Sequence, residues 1–129
     1  MARQAKQDRL PTRVEMRKRG MKLQDVLCPL CGDGSESSCH LFTACSFAME
    51  VWARVASWCK LASIYAFEVR DLLLLPKDLK MRKQKTRTMH GIILTTLWNI
   101  LIARNESIFQ WKTNKVVDVV AKIKASSFF

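Results

Sequence analysis

The chain lacks any apolar run long enough to cross a bilayer. Its longest apolar stretch, residues 91–103, is interrupted by Thr95, Thr96 and Asn99 and falls short of the ~20 residues that a spanning helix needs. A secretory signal is also missing, because residues 1–22 are basic and hold no apolar centre. Its five cysteines are therefore expected to be reduced thiols or metal ligands inside a cell, not a disulfide framework. Nothing in the residues separates nucleus from cytoplasm. Acidic side chains are scarce, 11 against 22 lysines and arginines, and no two aspartates are adjacent. That excludes the clustered carboxylates with which nucleotidyl transferases hold two metal ions ~3.5–4 Å apart. With only two histidines, one of them claimed below and the other without a placed partner, a Ser-His-Asp or Cys-His centre has no support. The expectation is a protein that is not an enzyme and has no small-molecule substrate. Internal repeats are absent as well.

What is present is the composition of a globular domain. The chain has 129 residues, 49% of them hydrophobic, enough for one core. The formal net charge of +11 draws polyanions, nucleic acid before anionic membrane. No membrane partner is expected.

The hydrophobic pattern is helical. Thr12 followed by Glu15 reads as a capping box, with Pro11 before it and Gly20 placed to end a short helix near Arg19. Ser46 reads as the cap of a helix over 47–61, whose apolar positions Phe47, Val51, Trp52, Val55 and Trp58 keep the i, i+3, i+4 spacing. Such a stripe is core first and ligand site last, so Trp52 and Trp58 are expected to pack inward. The apolar segment 64–75 reads as a further helix ended by Pro76, although Ile64, Tyr65, Phe67 and Val69 also suit a strand. Residues 77–87, rich in lysine and arginine, read as a solvated linker or a helix start. A long helix is expected over 88–111, buried along Ile93, Leu97, Ile100, Leu101, Arg104 and Ile108 and widened by Leu94, Trp98 and Ile102. A last amphipathic helix covers 115–126. The fold class is thus mainly α: a small helical domain around one long loop (9–62), then an extension (63–129, with the basic linker 77–87) packed as one unit with it.

The most informative stretch is 24–45, a long loop with few apolar anchors that needs another source of order. It contains Cys28-Pro29-Leu30-Cys31-Gly32, then His40 and Cys45, in the pattern C-x2-C-x8-H-x4-C. Two cysteines separated by two residues aim both sulfurs at one ion, and a closed Cys3His set is a common tetrahedral answer for zinc. Gly32 lets the turn take positive φ, and Cys45 at a helix entrance sits where a thiolate is favoured. Four protein ligands leave no open position, so the predicted metal is one structural Zn2+ held by Cys28, Cys31, His40 and Cys45. Cys39, beside His40, is the rival ligand.

Several strings follow in order: Leu10-Pro11-Thr12, Arg19-Gly20, Cys28-Pro29-Leu30-Cys31-Gly32, His40-Leu41-Phe42, Cys45, Phe47-Ala48 and Val51-Trp52. Together they resemble the zinc-binding domain that follows the reverse transcriptase domain in plant LINE-type retrotransposons. Leu97-Trp98-Asn99-Ile100, Ala103-Arg104-Asn105 and Phe109 look like the tail of that domain. The resemblance spans about residues 9–60 and 92–110. It implies the same four ligands, a helical domain with Trp52 in its core, and descent from a polyprotein that held an endonuclease and a polymerase. Two departures stand out. Residues 1–9 are too few and too polar for the aromatic-rich helix that family members carry there, which implies an N-terminally truncated fragment. Ser46 occupies the place of the family's proline.

The expected function is nucleic-acid binding, to RNA or single-stranded DNA, by Arg13, Arg17, Lys18, Arg19 and Lys22 on one side and by Arg82, Lys83 and Lys85 as a second patch. The alternatives are a helical protein–protein module, forming homo- or hetero-oligomers through exposed apolar faces, and a retroelement remnant with no selected role.

Overall fold

A computed structural model describes residues 12–20, 27–37, 39–61, 64, 68–78 and 80–127. Lys22, the segment ahead of Thr12 and the expected domain boundary at 62–63 lie outside the described residues. Among the described residues five α-helices follow in order: α1 (Arg13–Lys18), α2 (Ser46–Trp58), α3 (Val69–Asp78), α4 (Lys83–Phe109) and α5 (Val116–Ser127), with a π-helical turn at His40–Ala44 ahead of α2. Among the described residues the only extended pairing is a single antiparallel bridge between Leu27 and Ser35.

Each helix follows from local chemistry with a few corrections. Thr12 Oγ1 accepts from the Glu15 amide at 3.3 Å, and Gly20 takes φ +89° after α1. The Glu15 carboxylate lies 3.7 Å from Lys18 Nζ. Cys45, not Ser46, is the N-cap of α2, and Ser46 is its first helical residue. The helix ends at Trp58 with Lys60 in the left-handed region at φ 59°. The Leu61 and Lys60 amides donate back to the carbonyls of Ala56 and Ser57, a left-handed closure usually built on glycine. Pro76 does not end the second apolar segment. It sits in the last turn of α3, where it costs the helix one N–H donor to the Leu72 carbonyl, and its own carbonyl accepts from Met81 to close the helix. Of the two readings of the basic stretch, the helix start holds for its second half: residues 77–78 finish α3, 80–82 lie between the helices, and Lys83, Lys85 and Arg87 open α4, which starts five residues ahead of its expected beginning.

The core is one cluster shared by the π turn and helices α2 to α5. Val51, Trp52 and Val55 of α2 meet Ile93, Leu97 and Ile100 of α4 and Val119, Val120 and Ile123 of α5, with Leu41 and Phe42 from the π turn and Leu72 from α3. The polar interruptions of the long helix are absorbed locally, as Thr96 and Asn99 donate to the carbonyls of Ile92 and Thr95 at 2.8 Å. Expected breadth was overstated on one side: Leu94 and Trp98 are 41% and 51% exposed. Glu106 near the end of α4 pairs with Lys112 at 3.0 Å and with Lys122 of α5 at 3.9 Å. No helix among the described residues is long and apolar enough to cross a membrane.

Candidate metal centre

The first limb of the centre is a narrow hairpin over residues 27–35. The Leu27–Ser35 bridge closes its base, the Cys28 amide donates to Gly34 O at 3.0 Å, and the Gly32 amide donates to Cys28 O at 2.8 Å. This tight turn aims Cys28 and Cys31 the same way. Gly34 has a second duty. At φ +71°, a Cβ placed on it meets His40 Cε1 at 2.9 Å and Nδ1 at 3.2 Å, so the bare backbone forms the back wall of the imidazole.

The second limb is the π turn. A π turn closes between residues five apart, and here the Cys45 amide donates to His40 O at 2.6 Å. That closure converts the His-x4-Cys spacing into two ligands on one side. Trp52 Nε1 donates to Phe42 O at 2.7 Å from a buried position, which gives a carbonyl of this unusual turn a partner. The core tryptophan therefore also anchors the ligand-bearing turn.

The ligand atoms of Cys28, Cys31, His40 and Cys45 all lie within 4.8 Å of one another. A tetrahedron with ~2.3 Å zinc–sulfur bonds has sulfur–sulfur edges of ~3.8 Å and sulfur–nitrogen edges of ~3.6 Å. Cys28 Sγ and Cys45 Sγ are 3.8 Å apart, and Cys31 Sγ and His40 Nε2 are 3.3 Å apart. The donor set and its spacing fit zinc, with Nε2 as the ligating nitrogen. Cys39 is exposed and outside the group, so the rival ligand set does not form. Cys28 and Cys45 are buried in the core, while Cys31 and His40 are half-buried at the surface.

Electrostatics separates the two buried thiols. The hydrogen bond Cys28 donates to Cys45, and then burial, push the Cys28 thiol far above its ordinary range. The same hydrogen bond lowers Cys45 most, with help from the Ala48 and Phe47 amides at the start of α2 and against the opposing effect of burial. Cys31 Sγ accepts from the Asp33 amide at 3.4 Å. Outside the centre, burial raises the Cys59 thiol.

Sequence reasoning did not single out Glu36. Its carboxylate is fully buried, accepting from the Arg13 amide at 2.7 Å. Arg104 of α4 grips it with two bonds, Nη2 to Oε1 at 2.8 Å and Nε to Oε2 at 2.9 Å. The Val14 amide donates to Glu36 O at 3.0 Å. Ser107 Oγ donates to Pro29 O at 3.3 Å, so one turn of α4 holds the loop at both Pro29 and Glu36. The one available signal was an acid, one of only two between the ligands, together with an arginine on an otherwise apolar helix face.

The predicted basic residues fall into two groups. Arg13 is half-buried, its guanidinium donating to Leu27 O at 3.2 Å. Arg17, Lys18 and Arg19 are exposed around the end of α1. Arg82, Lys83 and Lys85 are exposed at the start of α4, where Leu61, Lys80, Met81, Arg82 and Lys85 line a cleft. Lys85 and Arg104, the anchor of the α1 side, are separated by about 28 Å along the helix. His90 is exposed, with Nε2 2.9 Å from Leu73 O.

Residues 1–52 match the family model for zinc-binding in reverse transcriptase. No curated protein and no solved structure matches the chain. The matched segment includes every member of the Cys3His group and ends within α2, leaving α3, α4 and α5 outside it. The matched segment is similar to that zinc-binding domain, and the cluster is the site of one structural Zn2+. When bound, the ion cross-links the hairpin to the π turn. In apparent terms this contributes ~10–16 kcal/mol, against a net domain stability of ~5–15 kcal/mol.

Proposed function

We propose that the chain is a non-catalytic, zinc-stabilised domain that binds RNA or single-stranded DNA through the basic corner between α3 and α4. We further propose that it descends from the polyprotein of a plant LINE-type retrotransposon, as its ordered motifs suggest.

The observation that carries the binding reading is the start of α4. A helix N-terminus is the positive end of its dipole and usually gathers acids. Here the first turn holds no acid and Arg82 supplies no side-chain cap. Lys80, Arg82, Lys83, Lys85 and Arg87 surround that end instead, with Lys80, Arg82 and Lys85 on the rim of the cleft. Crowded cations at a positive pole are relieved by a phosphate backbone, which contacts such groups without regard to sequence. Arg17, Lys18 and Arg19 provide a second contact for a strand long enough to reach them. A tetrahedral set of four protein ligands supports a structural metal without open chemistry.

A salt titration of RNA and single-stranded DNA binding tests this. Affinity should fall linearly on logarithmic axes as salt rises. Changing Arg82, Lys83 and Lys85 together to glutamine should lower the slope by about 2, at ~0.7 per lost phosphate contact on single strands. Absence of affinity at low salt removes the proposal. A second reading, a protein–protein module, is favoured by Leu94 and Trp98, exposed one turn apart on α4. Light scattering that finds only a monomer counts against self-association through that face.

A further inference from the structure

We propose that Arg104 is a positioning residue for the zinc centre, and that its pair with Glu36 makes zinc binding and the docking of α4 a single cooperative event.

The two residues are 68 positions apart and meet in the interior, the side chains 5% and 0% exposed. A buried ion pair is costly to desolvate. Its attraction repays that cost only when the geometry is excellent and the remaining lone pairs are satisfied. Both conditions hold here. Arg104 binds both carboxylate oxygens, the Arg13 amide takes a further lone pair of Oε1, and Asn105 Oδ1 accepts from Arg104 Nη1 at 2.9 Å. The geometry depends on where the loop holds Glu36, however, and that segment has no regular secondary structure of its own.

Glu36 lies between Gly34, which backs the His40 ring, and Ser37, whose Oγ accepts from the His40 amide at 3.2 Å. Zinc on His40 and on the Cys28–Cys31 turn therefore fixes the backbone on either side of Glu36. The same helix turn reaches the cysteine limb through Ser107 and Pro29. With the metal removed, Glu36 loses its fixed place, and Arg104 loses the carboxylate that balances its charge in the interior. The state that avoids this charge is one in which the Arg104 turn has separated from the loop. Linkage makes the effect reciprocal: whatever factor zinc adds to docking, docking adds to zinc affinity.

The test is a zinc-affinity cycle by chelator competition on the full chain, comparing wild type, Arg104→Met, Glu36→Gln and the double variant Glu36→Gln/Arg104→Met. Amide hydrogen exchange of α4 is followed in the zinc-loaded and chelated forms. Arg104→Met should lower zinc affinity about tenfold or more, and the double variant should recover part of that loss because no full charge is stranded. The absorption bands of the cobalt-substituted protein should be the same in all four, since the ligands are untouched. In wild type, chelation should reduce protection of the amides around residues 100–107 by about tenfold or more, and in the double variant by clearly less. Zinc affinity of Arg104→Met equal to wild type, or α4 protection indifferent to chelation in wild type, overturns the proposal. If Arg104→Met does not fold, the double variant decides: a chelation effect on α4 as large as in wild type overturns it equally.

Discussion

The zinc loop and the α4–α5 hairpin are held by opposite means. From Leu27 to Cys45 the backbone makes one bridge, two tight turns and a π turn, and few apolar side chains hold it. The α4–α5 hairpin has no metal and buries Ile93, Leu97, Ile100, Val119, Val120 and Ile123 in a continuous core. Burial of this kind is spread over many contacts and loses stability in small steps. Ligation is concentrated in a few bonds and fails all at once. The two schemes are also joined, because Cys28 and Cys45 belong to the apolar cluster and Glu36 holds Arg104. A segment ordered by metal thus forms one wall of a core built by apolar burial.

The largest expected effect separates the halves most sharply. Chelation, or His40→Ala, should remove the ion and with it ~10 kcal/mol or more of apparent stabilisation of the loop. Elemental analysis should find one zinc per chain in wild type and close to none in the variant. Near-equal zinc in both would overturn the assignment of His40. Next, Leu97→Ala should cost ~2–5 kcal/mol by leaving a cavity in the helical half. Denaturant unfolding of the zinc-loaded protein should register this while zinc stoichiometry stays at one.

Gly34→Ala should strike the loop first. A methyl group at φ +71° and 2.9 Å from the imidazole cannot be placed without moving His40. Chelator competition should show zinc held at least about tenfold more weakly.

Acidification acts in the same place. Zinc must displace the proton that Cys28 holds firmly through its bond to Cys45. Binding therefore releases protons, and affinity should fall as pH falls. Zinc retention that does not change from neutral to mildly acid pH would contradict this. The smallest effect belongs to Lys60, a left-handed residue ending α2 at φ 59°. Lys60→Gly should stabilise the protein by up to ~1 kcal/mol in thermal unfolding, without altering zinc binding.

Local features were legible where short-range chemistry decides them. The Thr12 cap, the left-handed Gly20, the stripe of α2 and the spacing of the four ligands all act over a few residues. The position of Pro76 misled because proline is tolerated in a last turn that another residue can close. The extent of α4 misled because lysine and arginine are good helix formers as well as linker residues. Leu94 and Trp98 appeared buried because apolar residues occur all around the helix there while polar Thr96 and Asn99 face inward, so periodicity could not choose the inner face.

By itself, the sequence determined the metal and its ligands, because zinc demands donor types and spacings that lie within one short segment. It also determined the helical class and the strong positive charge. Only the tertiary structure decided the rest: that a π turn delivers His40 and Cys45 together, that Trp52 secures that turn, and that Arg104 reaches across 68 positions to Glu36. The Trp52–Phe42 and Arg104–Glu36 contacts are pairings beyond local reach, and no local rule specifies which partner a buried charge or a free carbonyl will find.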